Sequence, residues 1–382
     1  MGEAWIAGVG STKFGRHPDR SLLELATEAG RAAIDDSGIP PERIGAVFVG
    51  NFVSGILTGQ ELLGPLVAAN LGLRHVEAVK VEDACASSSA GVRLASHMVG
   101  AEIHRAVLVV GAERLTGAPR EVFTTSMTAA IDGDTEAASG LTFPGFWALV
   151  MRRHEHLYGT TREQVSAVSV KNRGFGVRNP LAQFREPVTA ADVLESKPIA
   201  DPLLMLDCCP VTDGAAAVVV ASPKLAWRHN SPAVRISGSA LVSGPPRVAD
   251  YDDVTVHDGT VVAAERVYAA AGIGPEDVDV AELHDCFSIA EIVDAEDLGF
   301  FPKGEGGPAI AEGRSRTVVN ASGGLLSKGH PTGATGCGQL YELALQLRDE
   351  HPNQVPGARV GLAHNGGGTT AAVTVHVLER LS

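Results

Sequence analysis

The chain has 382 residues and a formal net charge of −14, and 45% of its residues are hydrophobic against 20% charged. This length predicts more than one packed unit, and the negative charge argues against a general nucleic-acid-binding protein. No stretch reaches the roughly 20 apolar residues of a membrane span, and the start MGEAWIAGVG lacks the pattern of a signal peptide. The five cysteines are odd in number and lack CxxC spacing, so we expect a protein of the reducing cytoplasm.

The first 115 residues alternate between β-prone and helical patterns. The apolar spacing predicts strands at 5–9, 44–49, 76–81 and 106–110, and helices at 21–37, 61–71 and 91–100. Ser21 and Glu24 have the spacing of a capping box, and Gly38 follows the first helix as a helix-ending glycine. Strands that alternate with helices predict an α/β unit whose sheet is largely parallel and covered on both faces.

The alternation stops at about residue 116. Residues 116–205 are richer in polar, aromatic and turn residues, and the helical pattern is confined to 146–158, which predicts a loop domain over the α/β core. This segment also gathers positive charge in an otherwise acidic chain, at Lys171, Arg173, Arg178 and Arg185. These basic residues form either a solvated face or a binding site for the phosphates of a ligand.

The α/β pattern returns after the insertion and repeats the order of the first part. We predict strands within 208–222 and at 233–241, 279–283, 318–320 and 359–363, with helices at 261–272 and after the turns at 284–287 and 329–336. The stretch DGAAAVVVAS at 213–222 resembles GGGTTAAVTVHVL at 366–378. We therefore expect two related α/β halves, at 1–115 with 206–232 and at 233–382, and a loop domain at 116–205.

A strand, a sharp turn and a helix follow one another around Cys85, in the stretch VKVEDACASSSAG at 79–91. A cysteine at the start of a helix lies near unpaired backbone N–H groups and partial positive charge, which favour the thiolate. We therefore expect a lowered pKa and a nucleophilic thiol at Cys85. The alternative is a buried structural cysteine that packs as a small apolar residue.

Three further turns carry histidines, each directly after a predicted strand. They contain His284 with Cys286, His330 in a GHP turn, and His364 ahead of a glycine run that includes Gly366. Ligands of parallel α/β sheets bind beyond the carboxyl ends of the strands, so these turns are candidates for one site with Cys85. A cysteine with two or three histidines can form a nucleophile, its base and an oxyanion site, whereas each histidine taken alone can equally be structural.

Together these motifs resemble those of the thiolase family, within the thiolase superfamily, over nearly all of the 382 residues. The specific pieces are DACASSSAG around Cys85, NASGGLLSKGHPTGATG at 320–336 and HDCF at 284–287. The HDCF tetrapeptide is similar to that of sterol-carrier-protein-type thiolases and archaeal-like acetyl-CoA acetyltransferases. The common thiolases have NEAF at this place.

The resemblance implies roles for the residues of these motifs. Cys85 is expected to carry the acyl group as a thioester, and His330 is expected to act as its base. His284 is expected to join His330 in one oxyanion site, and the backbone N–H groups of Cys85 and Gly366 are expected to form the second.

One position departs from the family pattern. Most thiolases have a cysteine where this chain has His364, and that cysteine moves the α-proton of the attacking acyl-CoA. Cys286 is a candidate to supply the missing thiol, as in the sterol-carrier-type subgroup, and His364 is the other candidate for the acid/base group.

The resemblance also implies a fold, an activity and partners. We expect the thiolase fold, in which two pseudo-twofold-related α/β halves form five layers (α-β-α-β-α), with a loop domain added. The activity expected is formation or cleavage of a carbon–carbon bond of a 3-ketoacyl-CoA, with coenzyme A as substrate and no tightly bound cofactor or metal. The family implies a homodimer or tetramer, and some thiolase-like proteins act beside a small OB-fold and zinc-ribbon partner protein.

Alternative functions stay open at this point. They are a retro-aldol reaction on a CoA thioester, a non-catalytic acyl-CoA-binding subunit, and a cysteine hydrolase. The presence of Cys85, His284 and His330 together favours thiolysis or condensation over the retro-aldol reaction. The small residues around Cys85 and the full set of motifs argue against a cysteine hydrolase.

Overall fold

The computed structural model describes residues 2–227 and 232–381, so residues 228–231 of the predicted segment 206–232 lie outside the described residues. The strands are β1 (Trp5–Ser11), β2 (Ala46–Gly50), β3 (Glu77–Val81), β4 (Ala106–Arg114), β5 (Pro198–Ala200), β6 (Leu203–Leu204), β7 (Asp213–Ala221), β8 (Ala233–Ser243), β9 (Val280–Glu282), β10 (Val318–Val319), β11 (Val360–Gly367) and β12 (Ala372–Leu381). The helices are α1 (Leu22–Ser37), α2 (Ser54–Thr58), α3 (Leu63–Asn70), α4 (Ser87–Gly100), α5 (Arg120–Thr128), α6 (Phe143–Tyr158), α7 (Arg162–Gly176), α8 (Ala190–Leu194), α9 (Pro223–Ala226), α10 (Asp258–Ala271), α11 (Ser288–Asp297), α12 (Gly306–Ala311), α13 (Gly324–Ser327) and α14 (Thr335–Leu347).

Ten strands form one sheet in the order β10-β9-β11-β12-β8-β1-β7-β4-β2-β3. The order β1-β7-β4-β2-β3 on one side of its centre is repeated by β8-β12-β11-β9-β10 on the other, which confirms the two related α/β halves. The halves join where β1 pairs with β8, through Trp5 with Arg235 and Ile6 with Val234. Within the described residues, no helix is both long and apolar enough to cross a membrane.

The sheet is mixed, so the prediction of a largely parallel sheet is wrong. β2 pairs in parallel with β3 and β4, and β9 pairs in parallel with β10 and β11. The last strand of each half, β7 or β12, inserts antiparallel to its neighbours. At the end of the chain this follows from the short turn between β11 and β12, because a tight connection can only join antiparallel strands.

Helices cover both faces of each half and produce five layers. α4 and α14 pack against each other between the halves, in a core that includes Val92, Val109, Leu340 and Ala363. α1 and α3 cover the outer face of the first half, and α10 and α11 cover that of the second. The expected α-β-α-β-α arrangement is therefore confirmed.

The element boundaries differ from the sequence predictions in instructive places. Ser21 caps α1 and forms the predicted box with Glu24. The helix after Cys85 begins at Ser87, four residues earlier than predicted, because the small serines of this turn are buried and carry no apolar signal. The segment 116–205 contains four helices instead of one; a capping box of Thr161 and Gln164 marked the start of α7 and was missed.

The two halves meet where glycines let the backbones approach. A Cβ atom on Gly111 of β4 would lie 2.5 Å from the carbonyl oxygen of Gly333 and 2.7 Å from Cβ of Ser88. A Cβ atom on Gly336 of α14 would lie 2.5 Å from Cβ of Ser89. The absence of these side chains lets the turn that carries Cys85 contact the turn that carries His330.

We expect Gly111→Ala to lower the free energy of unfolding by about 1–3 kcal/mol, because the new methyl group would meet two backbone atoms and the Cβ atom of Ser88, none of which can move aside without a backbone shift. Chemical denaturation followed by circular dichroism measures this change. Gly174→Ala is the matched control: nothing lies within 4 Å of its Cβ position in α7, and alanine should raise stability by up to about 1 kcal/mol. An unchanged denaturation midpoint for Gly111→Ala would contradict the close packing.

Candidate active site

A cavity of about 610 Å³ opens where the two halves and the segment 116–205 meet. Its inner wall is formed by Cys85, His284, Cys286 and His330, which the structure therefore brings together from turns of both halves. The rest of its lining is largely apolar and aromatic, and includes Trp147. Such a concave apolar site with a few converging polar groups is typical of a small-molecule binding site.

Cys85 lies in the single 3-10 turn Ala84–Ala86 that leads into α4. Burial, and after it the nearby carboxyl of Glu113, raise the pKa of its thiol to about 12. The backbone N–H groups of Gly368 and of Cys85 itself favour the thiolate, but their effect on the pKa is smaller. The expectation of a lowered pKa is therefore wrong, because the loss of hydration outweighs the effect of the helix start.

The His330 ring is buried and held at one nitrogen. Its Nδ1 lies 2.7 Å from Oγ1 of Thr335, and its backbone N–H donates to Oγ1 of Thr212 over 3.1 Å. Burial lowers the pKa of His330 to about 3, so its imidazole is neutral at neutral pH and can accept a proton. The ring centroids of His330 and His284 are 4.9 Å apart with the planes at 82°.

His284 is also buried, and its Nδ1 lies 3.2 Å from Nδ2 of Asn365. Burial, followed by the neighbouring His330 and His364, holds the pKa of His284 well below its usual range. The Cys85 sulfur, one ring nitrogen of His284 and one ring nitrogen of His330 all lie within 4.8 Å of one another. A thiol, a basic nitrogen and a hydrogen-bond donor at this spacing can serve as nucleophile, base and oxyanion donor, although the same spacing is also short enough to hold a metal ion.

Cys286 contributes a second thiol to the cavity. Its carbonyl oxygen accepts a hydrogen bond of 3.0 Å from the N–H of Cys209, and burial raises the pKa of its thiol well above the usual value. Cys208 and Cys209 also line the cavity. Sequence reasoning missed both, although adjacent cysteines just before a buried strand were a usable signal.

His364 contacts helices α10 and α11. Its side chain is fully buried, with Nε2 3.0 Å from Oγ1 of Thr260 and Nδ1 3.5 Å from Oδ2 of Asp294. It does not line the cavity that Cys85 and Cys286 share.

The glycine run after His364 reaches the cavity two residues later than expected. Gly366 lies within β11 opposite Val373, whereas Gly368 lines the cavity and its N–H lies against the Cys85 thiol. Gly368 has a φ of 64°, which a glycine adopts without strain. The end of a glycine run before a turn was the signal that pointed to it.

Glu113 was missed because a single acidic residue near the end of a strand has no sequence signature. Its buried carboxyl accepts hydrogen bonds from Asn51 Nδ2 at 2.7 Å and from Phe52 N at 2.9 Å, both in the first half. It also accepts from Thr332 Oγ1 at 2.8 Å and from Gly333 N at 3.0 Å, both in the second half. Glu113 therefore joins the segment that follows β2 in the first half to the His330 turn in the second half.

The four predicted basic residues do not form one cluster. Arg173 lines the cavity, with its guanidinium 4.4 Å from the ring centroid of Phe184. The Lys171 ammonium lies 3.0 Å from Oε1 of the buried Glu291 instead. The remaining two are exposed and do not line the cavity: Arg178 and Arg185.

Two family models match most of the chain. Residues 4–224 match the family model of the thiolase N-terminal domain, and residues 243–380 match that of the thiolase C-terminal domain-like family. The chain belongs to the thiolase family. With the cysteine and histidines of its motifs in one cavity, it is an acyltransferase of the thiolase type.

Individual relatives cover the whole chain. It is 41% identical to an acetyl-CoA acetyltransferase of Methanothermobacter thermautotrophicus, over 100% of both chains. It is 36% identical to the benzoylsuccinyl-CoA thiolase subunit BbsB of Thauera aromatica, over 98% of this chain and 97% of that protein. Among solved structures, the Ltp2–ChsH2(DUF35) aldolase superimposes with a TM-score of 0.86 at 28% identity, over 99% of this chain and 98% of that chain.

The raised pKa of Cys85 predicts how fast iodoacetamide modifies this residue. Because the thiolate is the reactive form, a pKa of about 12 keeps the thiol protonated at neutral pH. We expect the modification rate of Cys85, read by peptide mass spectrometry, to rise about tenfold per pH unit from pH 7 to 10 without a plateau. The urea-unfolded protein is the control and should level off near an ordinary thiol pKa of about 8.5. A plateau below pH 9 in the folded protein would show that the helix start dominates.

Proposed function

We propose that this thiolase-type acyltransferase cleaves or forms the carbon–carbon bond of a 3-ketoacyl-CoA, with Cys85 as nucleophile and Cys286 as the acid/base group for the α-proton. The observation that carries the proposal is the meeting of both thiols with His284 and His330 in one cavity. Coenzyme A enters as a substrate.

In the cleavage direction, Cys85 attacks the 3-keto carbon while its thiol proton passes to His330. The developing oxyanion is stabilised by the N–H groups of Cys85 and of the glycine run, for which Gly368 is placed best and Gly366 remains the family's candidate. The bond between carbons 2 and 3 then breaks, which leaves an acyl thioester on Cys85 and the enolate of the departing acyl-CoA.

The enolate is the species that the protein must stabilise most. The N–H of His284 donates to its thioester oxygen, and losing one such donor costs on the order of 100-fold or more in rate. The Cys286 thiol protonates carbon 2, and its raised pKa keeps that proton in place until the enolate forms. Coenzyme A then attacks the Cys85 thioester, its thiol proton restores Cys286, and His330 returns its proton to Cys85.

The choice of Cys286 over His364 follows from placement. Cys286 lines the cavity, whereas the His364 ring is fully buried between Thr260 and Asp294. A substrate bound in the cavity can therefore transfer its α-proton directly to Cys286 and not to His364.

We expect Cys286→Ser to keep acylation of Cys85 by an acyl-CoA and to lose both bond formation and exchange of the substrate α-proton with deuterated water. Acid/base transfer contributes roughly 100- to 10,000-fold, so exchange should fall by at least about 100-fold. Peptide mass spectrometry reads the acyl group on Cys85, and NMR reads the exchange.

Cys208→Ser is the matched control, because Cys208 lines the same cavity but is not assigned to proton transfer. It should retain exchange, and Cys85→Ala should lose all turnover while staying folded. Wild-type exchange in Cys286→Ser together with its loss in His364→Ala would assign the acid/base role to His364. Turnover by Cys85→Ala would exclude the thioester mechanism altogether.

Among the basic residues, Arg173 is placed best to contact a CoA phosphate, since it alone of the four lines the cavity. A charge-assisted contact is worth about 1.5–3 kcal/mol, so Arg173→Gln should raise KM for acyl-CoA by at least about 10-fold with little change in kcat. Arg178→Gln is the matched control and should have the wild-type KM. Equal KM values in all three proteins would identify the predicted basic cluster as a solvated face.

The likeness to the Ltp2–ChsH2(DUF35) aldolase supports a second candidate, a retro-aldol reaction on a CoA thioester carried out with a small partner protein. The relative BbsB is likewise named as a subunit. Acyl transfer is favoured because Cys85 lies beside His330 as a nucleophile beside its base. A panel of acyl-CoAs, 3-ketoacyl-CoAs and 3-hydroxyacyl-CoAs, with and without a co-expressed OB-fold and zinc-ribbon protein, separates the two reactions and a non-catalytic subunit.

We also infer a homodimer or tetramer that acts in the lipid metabolism of the cytoplasm. β3 is an edge strand with Val79 half exposed, and its free backbone groups can pair with a second copy. The five free cysteines suit a reducing compartment. Light scattering that finds only monomers would overturn the assembly, and cell fractionation tests the location.

A further inference from the structure

The two histidines of the site bond differently at Nδ1. His330 Nδ1 lies 2.7 Å from Thr335 Oγ1, and this hydroxyl lies 3.3 Å from the carbonyl oxygen of Pro331. A hydroxyl has one proton, which Thr335 donates to Pro331, so its oxygen accepts from His330. Nδ1 of His330 therefore carries the proton, and Nε2 is the bare nitrogen.

At His284 the partner of Nδ1 is a donor instead. The Nδ2 amide group of Asn365 lies 3.2 Å away, and an amide NH₂ has no lone pair to offer. Nδ1 of His284 therefore accepts, and the ring proton lies on Nε2.

The side chain of Asn365 has no other polar contact in the described part of the chain. It is fully buried, and its Oδ1 lacks a hydrogen-bond partner there. A buried amide that is only partly satisfied costs stability, and an apolar residue would fill the same space without this cost. The contact with His284 explains why position 365 has an amide side chain.

We propose that Asn365 and Thr335 give His284 and His330 opposite tautomers, so that one neutral ring offers the cavity a hydrogen-bond donor and the other a proton acceptor. This proposal rests on the proposed function, and it adds two positioning residues to it. An enolate oxygen needs the N–H of His284, and Cys85 needs the bare Nε2 of His330. A histidine held in the wrong tautomer turns a lone pair toward the reacting group, which can cost orders of magnitude in rate.

No other neighbour named for His284 fixes its tautomer, so the contact with Asn365 determines it. His330 and His364 both lower the pKa of His284. The thiols of Cys85 and Cys286 are protonated at neutral pH because burial raises their pKa. Asp285 precedes Cys286 but its carboxylate accepts from backbone N–H groups of α13, away from the ring.

Asn365→Asp reverses the contact, because a carboxylate can only accept. The variant should hold the proton of His284 on Nδ1, and the new charge should raise the His284 pKa. Below that raised pKa the ring is an imidazolium with N–H on both nitrogens, and above it the donor at Nε2 is lost. Exchange of the α-proton, measured per acylated protein, should therefore fall by about 100- to 1,000-fold as the pH rises through the new pKa.

Two further variants separate tautomer control from packing. Asn365→Leu removes the contact without a charge, so exchange should be reduced by the same factor at every pH. Thr335→Val should affect the other step of the reaction from Asn365→Asp. It should slow acylation of Cys85 and retain exchange of the α-proton per acylated protein. Equal, pH-independent losses in Asn365→Asp and Asn365→Leu would overturn the proposal in favour of a packing role.

The tautomers can also be read in the wild-type protein, whether or not a variant folds. NMR of protein labelled with ¹⁵N-histidine, with signals assigned through His284→Gln and His330→Gln, should show a proton on Nε2 of His284 and on Nδ1 of His330. The same tautomer on both rings would overturn the proposal. A wild-type protein that fails to acylate Cys85 yet shows opposite tautomers would instead count against the proposed function alone.

Discussion

The buried carboxyl of Glu113 is the contact on which the site depends. It accepts hydrogen bonds from Asn51 and Phe52 on one side and from Thr332 and Gly333 on the other. A buried acceptor that lost these donors would bear its full desolvation penalty, so the carboxyl and its donors stay together. The His330 turn is thereby held against the end of β4 and the segment that follows β2, although these lie in different halves of the chain.

Close backbone contact is the second condition for this geometry. Gly111 and Gly336 place β4 and α14 against the serines that follow Cys85, at distances that no side chain would allow. This close approach of the backbones is one reason for the high glycine content of the chain, which has 44 glycines. Because the halves cannot shift without a clash or a cavity, the distance between the Cys85 turn and the His330 turn is set by the core and not by the loops.

The cysteines and histidines of the site are uncharged at neutral pH. Burial raises the pKa of Cys85 and Cys286 and lowers that of His284 and His330. Charge then develops only when a substrate supplies the electrophile and a proton moves between neighbours. In such an array the direction of each hydrogen bond decides which group donates and which accepts, so neighbours such as Thr335 and Asn365 matter as much as the groups that they orient.

The sequence by itself determined the α/β class, the two related halves, and the residues that meet in the site, because each reactive residue lies in a short motif directly after a strand. Cys85, His284 and His330 could be named from such motifs. Tertiary structure alone decided the pKa of Cys85, since burial and Glu113 come from distant parts of the chain. It alone showed that Gly368 lines the cavity, that His364 is buried and does not line it, and that Lys171 pairs with Glu291. Burial, hydrogen-bond direction and the facing of a side chain depend on contacts between residues far apart in the chain, which local spacing does not encode.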